Sequence, residues 1–312
     1  MVYLHLFGTE NEFSEEYYGS GYTEPWVSYT LETSAVNYNN NTIPLQETPF
    51  TIQFIDSNHL SADGLGAENL EYRLNGGQWT QFPMGDFDLD VSAGDEISLK
   101  GTYNQINTLV QYQTNRMNVY GNIMSIDAGD GFESATTVNN GFFGLFQDWS
   151  GLISAENLLL PATALTSGCY RYMFFGCSSL ASAPALPATA MTEECYDFMF
   201  FNCSSLTSAP ALPATTLANT CYHGMFSTCT GLTSAPELPA LTLVDDCYAN
   251  MFEYCSSLNY IKCLATNIQA NSCTDSWVAG VSGSGTFVKN PSMASWPSGD
   301  SGIPSGWTTQ NG

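Results

Sequence analysis

Positive charge is almost missing from this sequence. It has 6 Lys and Arg against 30 Asp and Glu, a formal net charge of −24. So few cations cannot displace the counterions of nucleic-acid phosphates or hold an anionic lipid surface, so no nucleic acid is predicted as a partner. Charge of either sign is scarce, at 12%, about half the usual share. The wet surface must therefore come from Ser, Thr, Asn, Gln, Tyr and Gly. No apolar run reaches the ~18 residues of a membrane span, so no membrane insertion is predicted. The first twenty residues show no basic stretch followed by an apolar one, so no secretory signal peptide is predicted. Histidine is limited to His5, His59 and His223, and no G-x-S-x-G, H-E-x-x-H, G-x-G-x-x-G or Walker-type string occurs. The sequence therefore predicts no enzyme, no cofactor and no metal. With 44% hydrophobic residues the chain can still bury a core.

What is present is periodicity. Of the ten Cys, Cys169, Cys195, Cys221, Cys247 and Cys273 are spaced by 26, and so are Cys177, Cys203, Cys229 and Cys255. Tyr170, Tyr196, Tyr222 and Tyr248 follow the first column, then Met173, Met199, Met225 and Met251, each with Phe after it. Leu180, Leu206, Leu232 and Leu258 follow the second column, and Leu-Pro pairs close the units. This is a tandem repeat, C-Y-x-x-M-F-x-x-C-[ST]-[SG]-L-x-S-A-P-x-L-P-A. A degenerate copy lies upstream, with Trp149 in place of the second Cys.

At about 100° per residue the fixed offsets 0, 1, 4, 5 and 8 form one arc, the buried stripe of a short helix. The following L-x-S-A-P-x-L-P reads as extended. Each unit is then strand, turn and short helix, the build of a leucine-rich repeat. Strands about 4.8 Å apart beside helices about 8–10 Å apart would bend the stack into a curved solenoid. Pro184, Pro210 and Pro236 would form a column without donors, so each strand should be short. The two sulfur columns read as buried free thiols, too far apart along a helix for disulfides. Glu193-Glu194 and Asp245-Asp246 read as helix caps.

The predicted fold class is α+β, mostly β: a β-sandwich-like module, then the solenoid of 26-residue repeats, then a C-terminal cap. The segments are 1–46, an acidic, aromatic attachment arm; 47–102, a small β-sandwich; 103–156, an N-terminal cap and degenerate repeat; 157–262, the leucine-rich repeats; and 263–312, the C-terminal cap. Phe50, Ile52 and Phe54, and Leu70, Tyr72 and Leu74, alternate as strands do, and Asn75-Gly76-Gly77 reads as a hairpin turn. Asp86, Asp88 and Asp90 depart from a calcium loop, because Val91 stands where the turn glycine belongs. They read as a solvated strand face.

Several strings carry a family resemblance: Tyr120-Gly121-Asn122-Ile123-Met124-Ser125, the C-Y-x-x-M-F-x-x-C-S-S-L units, Leu258–Thr266, Gly285-Thr286-Phe287-Val288-Lys289 and Gly302-Ile303-Pro304-Ser305-Gly306-Trp307. Over roughly residues 68–308 the chain resembles the BspA-like leucine-rich repeat proteins of gut Bacteroidales and their crAss-like bacteriophages. The resemblance implies surface adhesion without catalysis. It leans to a virion head-fibre or tail-fibre protein, joined to other virion proteins by its N-terminal region and assembled as a homo-oligomer, a trimer by analogy. The alternatives are a bacterial cell-surface adhesin and a purely structural capsid decoration protein. The partner expected at the repeats is a host-surface glycan or protein. Outward offsets offer Arg171, Tyr172, Phe175, Phe198, Phe201, His223, Asn250 and Tyr254 as ligand-binding candidates. His223 reads as a surface residue without a partner. The inward core ladder is Cys169, Cys177, Cys195, Cys203, Cys221, Cys229, Cys247 and Cys255 with Met173, Met199, Met225 and Met251.

Overall fold

Alternating apolar residues over 50–122 build the first half, in a computed structural model that describes residues 35–38, 41–62, 69–82, 87–102, 115–138, 141–293 and 295–312. The attachment arm expected at 1–46 falls mostly outside the described residues, as does Asp86. Strands β1 (Ala35–Tyr38) and β2 (Asn41–Pro44) pair antiparallel. The main sheet holds β3 (Thr51–Phe54), β5 (Leu70–Leu74), β6 (Thr80–Gln81), β8 (Glu96–Gly101), β9 (Met117–Asn122), β10 (Leu152–Ser154) and β11 (Leu158–Leu159), in the order β10-β9-β3-β8-β5-β6 with β11 also on β9. A separate pair joins β4 (Asn58–Ala62) to β7 (Phe87–Val91). Asn75 and Gly76 both take positive φ at the turn after β5, the conformation a tight hairpin needs. At the far end β12 (Tyr260–Cys263), β13 (Thr286–Lys289) and β14 (Thr308–Asn311) pair in parallel.

The curved solenoid with short helices is corrected by this arrangement. Among the described residues the sheets are flat and none is closed, and helix makes up only 5% against 25% strand, too little to place a helix in every unit. The three short 3-10 helices among the described residues, Leu45–Glu47, Ile123–Ile126 and Gly129–Ser134, all precede the cysteine repeats. Over 47–102 the strands divide between the β4–β7 pair and the main sheet. Its strand β3 pairs with β9, which pairs in parallel with β10 and β11 of the degenerate repeat.

The segment expected to be a helix is a ladder of consecutive turns. Between Cys169 and Cys177 the amides alternate in destination. Those of Cys169, Arg171, Met173, Phe175 and Cys177 donate three residues back; those of Tyr170, Tyr172, Phe174 and Gly176 donate to the carbonyls of Cys195, Asp197, Met199 and Phe201 in the next unit. Every fourth residue is left-handed: Gly168, Tyr172 and Gly176, then Glu194, Phe198 and Asn202, then Thr220, Gly224 and Thr228, then Asp246, Asn250 and Tyr254. A helix cannot hold such residues, because left-handed backbone costs an L-residue about 1–2 kcal/mol and breaks the i→i−4 series. Offsets 0, 1, 4, 5 and 8 therefore follow a period of four. Over nine residues, five fixed positions suit four per turn as well as they suit 3.6. Cross-unit backbone hydrogen bonds hold neighbouring units at sheet-like spacing, so no wide helical layer bends the stack.

The prolines explain the other side of the unit. Between Leu159 and Tyr260 the units form only isolated parallel bridges, such as Ala190↔Thr216 and Ser234↔Tyr260. Named strands return at β12, where Lys262 stands in the proline column and restores the donor.

The core is one continuous cluster from Phe50 to Trp307. Two ring columns run through it. Tyr170, Tyr196, Tyr222 and Tyr248 stack at 5.7, 5.9 and 6.1 Å, and Phe174, Phe200, Phe226 and Phe252 at 5.3, 5.6 and 5.8 Å. Trp277 ends both columns, 6.3 Å from Tyr248 and from Phe252.

Candidate functional site

The twelve ladder residues Cys169 to Cys255 and Met173 to Met251 are buried, and all ten cysteines are free. The second column has a polar task. The thiols of Cys177, Cys203, Cys229 and Cys255 donate to the carbonyls of Phe146, Phe174, Phe200 and Phe226, at 3.0, 3.2, 3.0 and 2.9 Å. Each carbonyl already accepts an amide from its own unit, so the thiol fills the second lone pair and ties two units together. Burial pushes the thiols away from ionisation: Cys195 to about 11, Cys169, Cys247, Cys255 and Cys263 to about 12. These sulfurs are neither nucleophiles nor ready metal ligands.

The outward residues of the turns form the candidate surface. Tyr172, Phe175, Phe198 and Phe201 come together as one half-buried ring cluster: Phe175 stacks on Phe201 at 4.6 Å, Tyr172 meets Phe175 at 5.6 Å and Phe198 at 5.7 Å, and Phe198 meets Phe201 at 5.6 Å. Phe143 of the degenerate unit extends the cluster to Tyr172 at 5.3 Å and is 42% exposed. The repeat register places these rings, since offsets +3 and +6 recur 26 residues apart.

Arg171 and His223 join this cluster through a residue absent from the sequence-based candidates. Asp197 lies one unit after Arg171 and one before His223, in the same column. Its buried carboxylate sits 2.8 Å from Arg171 Nε and 2.8 Å from His223 Nδ1. The Arg171 contact is an ion pair of poor alignment, because Nε finds no in-line acceptor. The guanidinium also reaches Glu194 and donates to the Tyr172 hydroxyl at 3.1 Å, with its carbon 4.8 Å from that ring. The His223 ring meets Phe198 edge-on at 4.7 Å. The expectation of a partnerless surface histidine is thus corrected. Adding one period to Asp197 would have found its partner.

Asn250 and Tyr254 are not part of this cluster. They lie two units further on, where Asn250 donates to the Glu253 carboxylate at 3.1 Å. Tyr254 is 57% exposed. The paired acids also take other work than helix capping: Glu194 binds Arg171, and Asp245 accepts the backbone amide of Asn271 at 2.9 Å.

Away from the repeats, His59 on β4 lies between two carboxylates of β7, 2.7 Å from Asp88 and 2.8 Å from Asp90. Among the described residues no group of three or more His, Cys, Asp or Glu could hold a metal ion, and no helix is long and apolar enough to cross a membrane. Comparison with protein-family models, with curated proteins and with solved structures finds no match.

Proposed function

We propose that this chain is a non-enzymatic recognition protein of a virion surface, of the head-fibre or tail-fibre kind, which binds host-surface material through the outward side of its turn ladder. The observation that carries this reading is the aromatic cluster Phe143–Tyr172–Phe175–Phe198–Phe201, half-exposed on a backbone whose amides are paired unit to unit. Contiguous exposed apolar surface on an otherwise polar protein marks a contact site. Here the surface is also stiff, so binding loses little conformational entropy. Arg171 is neutralised by Asp197 and Glu194, which leaves the net acidity of the surface unopposed and disfavours polyanionic ligands. The thiols support the absence of chemistry, being buried and held protonated. Phage placement, attachment through the N-terminal region and a homo-oligomeric state rest on the family resemblance.

A whole-cell assay tests the proposal. Labelled full-length chain is expected to bind intact Bacteroidales cells saturably. Tyr172→Asn combined with Phe198→Asn, which suits the left-handed backbone, should weaken that binding at least tenfold. Absence of saturable binding, or full binding by the double variant, would overturn it.

A further inference from the structure

Tyr254 is the most exposed ring among the described residues, at 57%, and we infer that it is the platform of a carbohydrate subsite that takes neutral hexopyranose units. This rests on the recognition reading above and names its ligand class. Three independent observations point to Tyr254.

The first is exposure at a position the repeat does not reserve for a ring. Tyr254 is 57% exposed. Its φ of 57° is shared by other corners of the ladder, Tyr172, Phe198 and Thr228 among them, so the backbone does not single it out. The same offset in the other units is Gly176, Asn202, Thr228 and Gly280, and no other unit places a ring there.

The second is the seat of the ring. A Cβ on Gly280 would lie 2.7 Å from Tyr254 Cδ1 and 3.3 Å from Cε1. The ring therefore rests against the bare backbone of the next unit, which only glycine at 280 permits. The ring is fixed there, and the residue as a whole is 57% exposed. In the cluster around Phe175 and Phe201, by contrast, the ring faces are spent on one another.

The third is the polar rim. Asn250 and Glu253 stand on the same turn, already oriented by the hydrogen bond between them. An exposed, immobilised aromatic face with an amide and a carboxylate beside it matches a sugar ring, which offers an apolar face of C–H groups and a fringe of hydroxyls. A protein partner fits less well. A stable protein interface needs roughly 800 Å² per side, and no other exposed ring contacts Tyr254 among the described residues. The overall charge of −24 favours uncharged sugars over sulfated or uronic ones.

The experiment measures binding of the full-length chain to a panel of neutral hexose oligosaccharides, with heparin as the charged control, and repeats it with Tyr254→Asn and Tyr254→Phe. The expected result is saturable binding of at least one neutral oligosaccharide and none of heparin. Tyr254→Asn should lose at least tenfold in affinity with no fall in thermal midpoint, and Tyr254→Phe should retain most of the affinity. A ring that serves only structure would give the reverse, a lower midpoint and unchanged affinity, and would overturn the inference. If the chain binds cells but no neutral oligosaccharide, the ligand class is wrong while the recognition reading stands. If it binds neither, that reading fails first.

Discussion

Gly224→Ala is the sharpest probe of the turn ladder, because the repeat supplies its own control. Gly168 and Gly224 share left-handed backbone, with φ 64° and 56°. A methyl group on Gly168 would meet nothing within 4 Å, whereas one on Gly224 would strike Cε1 and Cδ1 of Phe198 and lie 2.9 Å from Cζ. Gly168→Ala should therefore cost only the left-handed penalty, about 1–2 kcal/mol. Gly224→Ala adds the displacement of a ring held by Tyr172, Phe201 and His223, an overpacking cost of about 1–3 kcal/mol. For the unit Ser34–Gly312, an unfolding entropy of roughly 0.6 kcal/mol per degree converts these into falls of about 2–3 °C and about 4–8 °C. Scanning calorimetry of both variants reads the difference. A cycle with Phe198→Asn then isolates the ring: on that background Gly224→Ala should cost no more than Gly168→Ala does, a coupling of about 1–3 kcal/mol. Equal falls for Gly168→Ala and Gly224→Ala, or additive costs in the cycle, would refute the seating of Phe198 on Gly224 and with it the unit-to-unit register of the outward face.

The other predictions probe polar groups. The eight ladder thiols should resist a thiol-specific disulfide reagent in native protein at pH 8, since burial pushes them away from ionisation, Cys195 to about 11, and close to all ten thiols should react in denaturant without reductant; eight or more blocked in denaturant would contradict the free-thiol columns. Asp197→Asn should destabilise the fold by about 2–4 kcal/mol, because a buried carboxylate that serves two partners is removed, and chemical denaturation with an unchanged slope would show it; a loss under about 0.5 kcal/mol would mean that Arg171 and His223 do not depend on it. His59 should titrate above its ordinary value of 6.5, owing to its hydrogen bond to Asp90 and then the charge of Asp88. The fold favours its protonated form, so its contribution is full below about 6.5 and is lost as pH rises through the raised value. Ring-proton NMR titration measures this directly; Asp90→Asn should return the midpoint toward 6.5, and a wild-type midpoint at or below 6.5 would break the argument.

The register of the repeat was legible in the sequence, and the backbone that realises it was not. Spacing alone put Cys, Tyr, Met, Phe and Leu in columns, and those columns are the stacked interior. Whether a nine-residue stripe winds at 3.6 or 4.0 residues per turn could not be decided from its apolar positions, because the two periods drift apart by only about 10° per residue. The deciding residues lay on the other face. Gly168, Gly176, Asn202, Gly224, Asn250 and Gly280 occupy every fourth position there, and glycine and asparagine are the residues that enter left-handed backbone at least cost. A helical reading leaves them unexplained, since each of the four cysteine units would carry a glycine or asparagine inside its helix (Gly176, Asn202, Gly224 and Asn250) at roughly 0.5–1 kcal/mol each. The same blind spot hid Asp197. In a helix-based unit its neighbours would be residues three and four away on its own turn; in a ladder with one hydrogen bond per rung, they are the residues one period before and after, Arg171 and His223. Glu194 and Arg171, Asp245 and Asn271, and Tyr254 and Gly280 are likewise neighbours across units. Once the period is known, the contacts of an outward residue here are read by adding or subtracting 26, with Gly224 and Gly280 marking the places where the rings of Phe198 and Tyr254 come to rest.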